Sequence, residues 1–409
     1  MSPFATLRAR LPDRNLWAVY RTMIVLSTAY GIALAVMPMV LEHRGLGADV
    51  VGEIASFFAL GLVVFAAPSG AVIRRFSARR TLAVSIVGYG AMIALIPLLS
   101  SYTALAIDRF VDGLFSMGAW MSGETLVLWR APKNDKALAT SLSASFTMSG
   151  YPLGAAISFG ISSWLSPEHR FVLAGAIACI AAVVAVTGLD PDPVIAHTVL
   201  PCEGPIAGTE RAPSRGVIEL AWRIKTSCAA TFASGFFQAS GALFIPRFLV
   251  DERHVPEEQA SLVVGLVGLG MLLVASPAGR LGDRIGHLAV MRILALAGLI
   301  GMLAFLVVDS FIVMCVIIVI AGGAITSMPP LSLALQGVIA KPDEYTRTNS
   351  IFNVFFASGL VVGPLLTGRV FHTFGGSAIL WLFAALWAGF VVLSLAFRGD
   401  DPRVSVPTA

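Results

Sequence analysis

Charge is scarce in this chain. Of 409 residues, Asp, Glu, Lys and Arg together supply 13%, against 57% hydrophobic residues. Soluble domains carry about a quarter of their residues as charges, so this balance, with a mean hydropathy of +0.84, excludes a water-soluble globule. Cysteine is nearly absent: Cys179, Cys202, Cys228 and Cys315 stand far apart, three of them inside apolar runs. That excludes a disulfide framework and a CxxC redox pair, and the cysteines read as small apolar residues. No glycine-rich phosphate loop ending in Lys-Ser or Lys-Thr is present, which excludes an ATP-driven pump on this chain. The six histidines, His43, His169, His197, His254, His287 and His372, lack metal-ligand spacing. Neither enzymatic activity, cofactor nor metal is expected. Any work done must draw on a gradient.

What the chain has instead is long hydrophobic runs. They predict helices near 19–41, 50–73, 81–99, 103–130, 137–164 and 168–189, then 221–249, 258–280, 288–307, 310–337, 345–370 and 376–397. A membrane span takes about 20 apolar residues, so the expectation is an all-α polytopic membrane protein of twelve spans. The first run is too long for a signal-peptide core and is expected to stay in the mature protein. Two bundles, 1–189 and 219–409, flank a segment at 190–218 that holds Pro191, Pro193, Pro201, Pro205 and Pro213 and reads as a flexible linker. If both termini lie on one side, 22 of the 28 basic residues fall there, among them Arg74, Arg75, Arg79, Arg80, Arg130, Lys133, Lys136, Arg280, Arg284, Lys341 and Arg403. This bias predicts a multi-pass protein of the cell (inner) membrane with cytoplasmic termini. The pI near 9.0 follows from that sorting. Anionic lipid headgroups, not nucleic acid, are the partners expected for these loops. The stretch Phe4 to Trp17 either lies along the membrane surface as a short amphipathic helix or is a tail whose arginines only fix orientation.

The chain also repeats itself. Pro68-Ser69-Gly70-Ala71-Val72-Ile73-Arg74-Arg75 and Pro277-Ala278-Gly279-Arg280-Leu281-Gly282-Asp283-Arg284 share Pro, Gly and the final Arg at a constant offset of 209 residues. Gly61 and Gly270, Ser149-Gly150 and Ser358-Gly359, and Gly154 and Gly363 keep the same offset. Parallel repeats of this length in an apolar chain point to a transporter with its path between the halves.

The stretch Gly279-Arg280-Leu281-Gly282-Asp283-Arg284-Ile285-Gly286-His287 resembles the G-x-x-x-D-R-x-G-R/K signature of the major facilitator superfamily, which that family places after helices two and eight. The resemblance implies the two-bundle, twelve-helix fold of that family and a gating loop made of Gly279, Asp283, Arg284 and Gly286, with Gly70, Arg74 and Arg75 in the first copy. It implies no substrate. Glycines there let helix ends approach, Asp283 can accept from N–H groups at a helix start, and the arginines can pair across the turn. The first copy departs from the pattern: Arg74 replaces the Asp, Ser77 the Gly and Ala78 the basic residue. The latch that the family builds on that Asp is therefore in doubt, and Arg74 either pairs with an acid on another helix or adds one more cytoplasmic positive charge.

The fourth run carries Asp108, Arg109, Asp112, Glu124 and Arg130. A charge at bilayer depth costs about 2.5–3.5 kcal/mol even on insertion scales, so these side chains are expected to face the interior or a wet cavity. Arg109 and Asp112 are three apart and share a helix face. Arg109-x-x-x-Gly113 resembles the superfamily's fourth-helix R-x-x-x-G motif, which implies proton coupling, with Asp112 where that motif shows Gln. Asp112 with Arg109 is read either as a proton-exchanging couple or as a permanent ion pair, with Asp108 a further acid beside them. Glu124 lies fifteen residues beyond Arg109, about 22 Å along the axis, so the two cannot touch. It reads as a proton or cationic-substrate site, or as a partner for Arg130 or Arg74.

Helix five has Gly150, Pro152 and Gly154, and helix eleven has Gly359-x-x-x-Gly363-Pro364-x-x-x-Gly368. The latter resembles the pattern that superfamily exporters show in helix five, and close helix packing explains both. Cavity-lining candidates are Tyr30, Gln238, Ser327, Gln336 and Asn353, with Met117, Met121 and Met328 as adaptable apolar walls. Glu53 and Asp309 read as outer-surface residues that meet water. The function expected is secondary active transport of a small organic solute by a monomer, proton-coupled efflux of drugs or metabolites first, proton-coupled uptake or a non-transporting receptor or assembly factor as the alternatives.

Overall fold

The computed structural model describes residues 11–132, 136–190, 215–340 and 345–400. Arg8, Arg10, Lys133, His197, Cys202, Lys341 and Arg403, most of the linker and the first part of the Phe4–Trp17 stretch lie outside the described residues, as does the Arg74 side chain. Every element among the described residues is helical. The first half comprises α1 (Arg14–His43), α2 (Ala48–Phe76), α3 (Ala78–Leu95), α4 (Tyr102–Arg130), α5 (Lys136–Gly160) and α6 (Pro167–Gly188). A short helix, Arg215–Arg223, precedes the second half. That half comprises α7 (Lys225–Arg253), α8 (Glu257–Ile285), α9 (His287–Val307), α10 (Phe311–Ile339), α11 (Tyr345–Phe374) and α12 (Gly376–Ala396). Ten of the twelve are long and apolar enough to cross a membrane. The other two, α4 with 29 residues and α5 with 25, are equally long but more polar. Helix ends run past the apolar stretches because in lipid each backbone N–H and C=O must be bonded inside its own segment.

The duplication extends into contacts that are far apart in sequence. At the end of α1, Arg44 donates to the carbonyls of Ile96 (3.0 Å) and Pro97 (3.1 Å) where α3 finishes. Arg253, 209 residues on, donates to Phe305 (2.9 Å) and Leu306 (2.7 Å) where α9 finishes. Both guanidinium groups satisfy carbonyls left open at a helix C-terminus, where positive charge is also favoured. Gly61 of α2 and Gly113 of α4 meet backbone to backbone, and Gly270 of α8 and Gly323 of α10 do the same. The first pair of counterparts, Gly61 and Gly270, is offset by 209 residues and the second, Gly113 and Gly323, by 210. The residue preceding each of these fourth helices, Ser101 and Ser310, still shows 209. The extra residue is absorbed by a π turn at Ile318–Gly322, the usual way a helix takes in one insertion.

Most helix contacts stay within a half: α1 with α5 and α6, α2 with α4, α7 with α11, α9 with α12. The halves meet along two crossings. Between α2 and α11, Ser56 Oγ donates to the Val361 carbonyl (2.9 Å) and Gly52 and Gly368 admit the opposite backbone. Between α5 and α8, the bend at Pro152 seats against Gly265 and Gly268. Both crossings lie toward the end where α1 joins α2, as does a hydrogen bond between His43 Nε2 and Glu257 Oε1 (3.0 Å). Toward the other end, where α2 turns into α3 and α8 into α9, the halves part. Three turns beyond Gly268, a Cβ placed on Gly279 would meet nothing from another helix within 4 Å, and Asn353, Val354 and Phe355 of α11 are exposed.

Candidate functional site

The opening between the halves is faced by α4, whose orientation is set by two glycines. Gly113 is pressed against α2 at the Phe58 carbonyl, and Gly123 against α1 at Met23. The turns of α4 around the second contact leave a stretch uncovered by the neighbouring helices on the side of the parted end. It carries Trp120, 48% exposed, and Glu124, also exposed.

Deeper toward the closed end, the polar residues of α4 form a cluster inside the first half. Arg109 pairs with Asp112, and both are buried. Asp112 Oδ1 also accepts from Ser116 Oγ (3.2 Å). The Arg109 guanidinium carbon lies 4.5 Å from the centre of the Phe58 ring, a cation–π contact that shields the charge from lipid. Tyr30 stacks on Tyr89 at 4.1 Å, with Tyr151 at 6.2 Å. Asp108 is 4% exposed, and neither of its carboxyl oxygens has a hydrogen-bond partner among the described residues. The pairing expected for Arg109 and Asp112 is present, and Tyr30 is a wall of this cluster instead of a free cavity group.

Glu124 stands apart from it. Its Oε1 accepts from the Trp120 indole N–H at 2.7 Å, and it has no ion pair among the described residues. Arg130, one of the partners proposed for it, lies beside Asp13 instead (4.0 Å). Met117 and Met121 are half-buried along the same helix.

The second half places the remaining candidates differently. Gln238 and Asn353 are exposed, whereas Ser327, Met328 and Gln336 are enclosed between helices. Gln336 Nε2 donates to Ser227 Oγ (2.9 Å), which in turn meets Ser332 Oγ (2.6 Å), and Thr231 bonds Ser332 (2.8 Å). This network ties α7 to α10. Ser227, Thr231 and Ser332 escaped the sequence reading, although Ser227/Thr231 and Ser332/Gln336 are each spaced four apart, which puts each pair on one helix face. Asp309, expected to meet only water, pairs with Arg253 at 2.7 Å, and Glu53 accepts from the Tyr102 hydroxyl at 2.9 Å.

At the open end, the two turns of the signature differ in chemistry but not in path. Gly286 joins α8 to α9 at φ 98°, ψ 141°, and its counterpart Ser77 joins α2 to α3 at φ 76°, ψ 149°. Arg280 donates to Ser276 on its own helix (3.2 Å) and not across the turn, Asp283 lies 3.9 Å from His287, and Arg284, Gly70 and Arg75 are exposed.

Two six-helix bundles related by an internal repeat, crossing at one end and parted at the other around a polar α4, define a membrane transporter fold of the alternating-access kind. The family profile of the Major Facilitator Superfamily matches residues 21–223 and 226–409, and the chain belongs to that family. The chloramphenicol resistance protein of Streptomyces lividans is 26% identical over 383 residues, 91% of this chain and 93% of its own length. Among solved structures, the nucleoside transporter NupG superposes with a TM-score of 0.78 at 13% identity, over 94% of this chain and 99% of its own. A bacterial homolog of the human lysosomal transporter Spinster, inward-facing and unoccupied, superposes with a TM-score of 0.71 at 14% identity over 100% of both chains.

Proposed function

We propose that the chain is a proton-coupled exporter of a small organic solute, acting as a monomer in the cell membrane. Two units, 1–189 and 219–409, rock about the central site and are joined by the linker at 190–218. The observation that carries the coupling is the buried Arg109–Asp112 pair with Asp108, which has no hydrogen-bond partner among the described residues, one turn away. Carboxyl groups enclosed at membrane depth have no solvent to stabilise a change of charge, so their proton occupancy must track access to the two sides. The basic turns mark the cytoplasmic face, which makes the opening an inward-facing one, as in the Spinster homolog. An exporter loads its cargo from that side. The relationship to a chloramphenicol resistance protein favours efflux over uptake.

The test is pH-gradient-driven movement in proteoliposomes loaded with a pH-sensitive dye, with chloramphenicol and tetraphenylphosphonium as probes. Antiport predicts proton flow opposite to the probe; uptake would carry both the same way. Asp112→Asn and Glu124→Gln should each abolish the coupled signal while the variants still elute as folded monomers. If both keep it at the wild-type rate, the coupling assignment is wrong.

A further inference from the structure

Glu124 is an acid of α4 that is exposed beside the opening and has no ion pair among the described residues. The other acids of α4 are spoken for or enclosed: Asp112 holds Arg109, and Asp108 is walled in by protein. Glu124 Oε1 is held by the Trp120 indole and Oε2 has no protein partner among the described residues. A charge left so in a low-dielectric setting favours a cationic ligand and repels an anionic one. The indole adds a second element. With its N–H tied to the carboxylate the ring is fixed in orientation, yet it stays 48% exposed, and an indole face is the best aromatic surface for a cation. Met117, one turn before, offers a deformable apolar wall. The positions equivalent to Trp120 and Glu124 in the second half, allowing for the extra residue of the π turn, are Pro330 and Ala334. Both are exposed, so α10 brings no basic group to this level.

We propose that Glu124 and Trp120 form the binding site for an organic cation, a protonated amine or an onium group carried on an apolar body. This deepens the transport reading above and rests on it, but its test needs no gradient. Binding of tetraphenylphosphonium and of its near-isosteric anion tetraphenylborate is measured on the full chain in nanodiscs, with empty discs as the blank. The wild type should prefer the cation by about tenfold or more. Glu124→Gln keeps an oxygen for the indole N–H and removes only the charge, and it should abolish that preference. Trp120→Ala should weaken cation binding, and Trp120→Phe, which keeps a π face, should restore part of it. Equal affinity for both ions, binding of neither, or a preference that survives Glu124→Gln overturns the proposal. Because no proton moves in this assay, absence of any proton-coupled flux by the wild type in the proteoliposome experiment, with cation preference intact, would sink the coupling reading alone.

Discussion

Ser77 occupies a backbone conformation that is almost reserved for glycine. At φ 76°, ψ 149° a residue with a Cβ is strained by about 1–3 kcal/mol. Its counterpart in the other half, Gly286 at φ 98°, ψ 141°, follows the same path without that strain. Ser77→Gly should therefore relieve the turn. Two terms oppose the gain. Ser77 Oγ accepts from the Arg80 N–H at 3.4 Å, a long cap bond whose loss to glycine costs a few tenths of a kcal/mol, about 0.3. The added freedom of glycine in the unfolded chain costs about 0.5–1 kcal/mol. The balance is a stabilisation of about 1 kcal/mol. The reverse change, Gly286→Ser, should cost about 1–3 kcal/mol. Both are measured as the midpoint of reversible unfolding by SDS in mixed micelles, or as the melting temperature of purified protein. If Ser77→Gly leaves the protein unchanged or less stable and Gly286→Ser is tolerated, the shared backbone path of the two turns is not what constrains them.

Two other predictions follow from the packing. Ser332→Ala removes the hydroxyl that bonds both Ser227 (2.6 Å) and Thr231 (2.8 Å). The groups left behind are buried, so the loss in unfolding free energy should be about 1–3 kcal/mol, and a change below the error of an SDS titration refutes the network's role. Gly52→Val would push a side chain into the backbone of α11 at Pro364 and so disfavour the crossing that closes this end. Labelling of a Ser56→Cys reporter by a membrane-impermeant maleimide from that side should rise relative to the same reporter with Gly52 intact. Unchanged labelling would show that the α2–α11 contact does not hold the closed end.

The sequence by itself determined the class of molecule. Runs of apolar residues at the length of a bilayer leave the backbone no option but helices, and the constant offset between Pro68 and Pro277 or Gly154 and Gly363 reported a duplicated unit because equal backbone contacts require equal residues. The Arg109–Asp112 pair was legible for the same local reason: three-residue spacing on one helix puts two side chains together whatever the rest of the chain does. What lay beyond reach depended on which faces of different helices meet. Tyr30, Tyr89 and Ser116 come from three helices, and only their packing makes one cluster around Asp112. Ser327, Met328 and Gln336 looked like cavity residues on a polar stretch of α10, but all three are buried, and Ser227 and Thr231 of α7 take up Ser332 and Gln336. The opening itself, and with it the exposure of Glu124 beside Trp120, exists only because the halves cross at one end and part at the other. Sequence spacing encodes neighbours within a helix; which polar groups remain free for a ligand is decided by what the other helices leave uncovered.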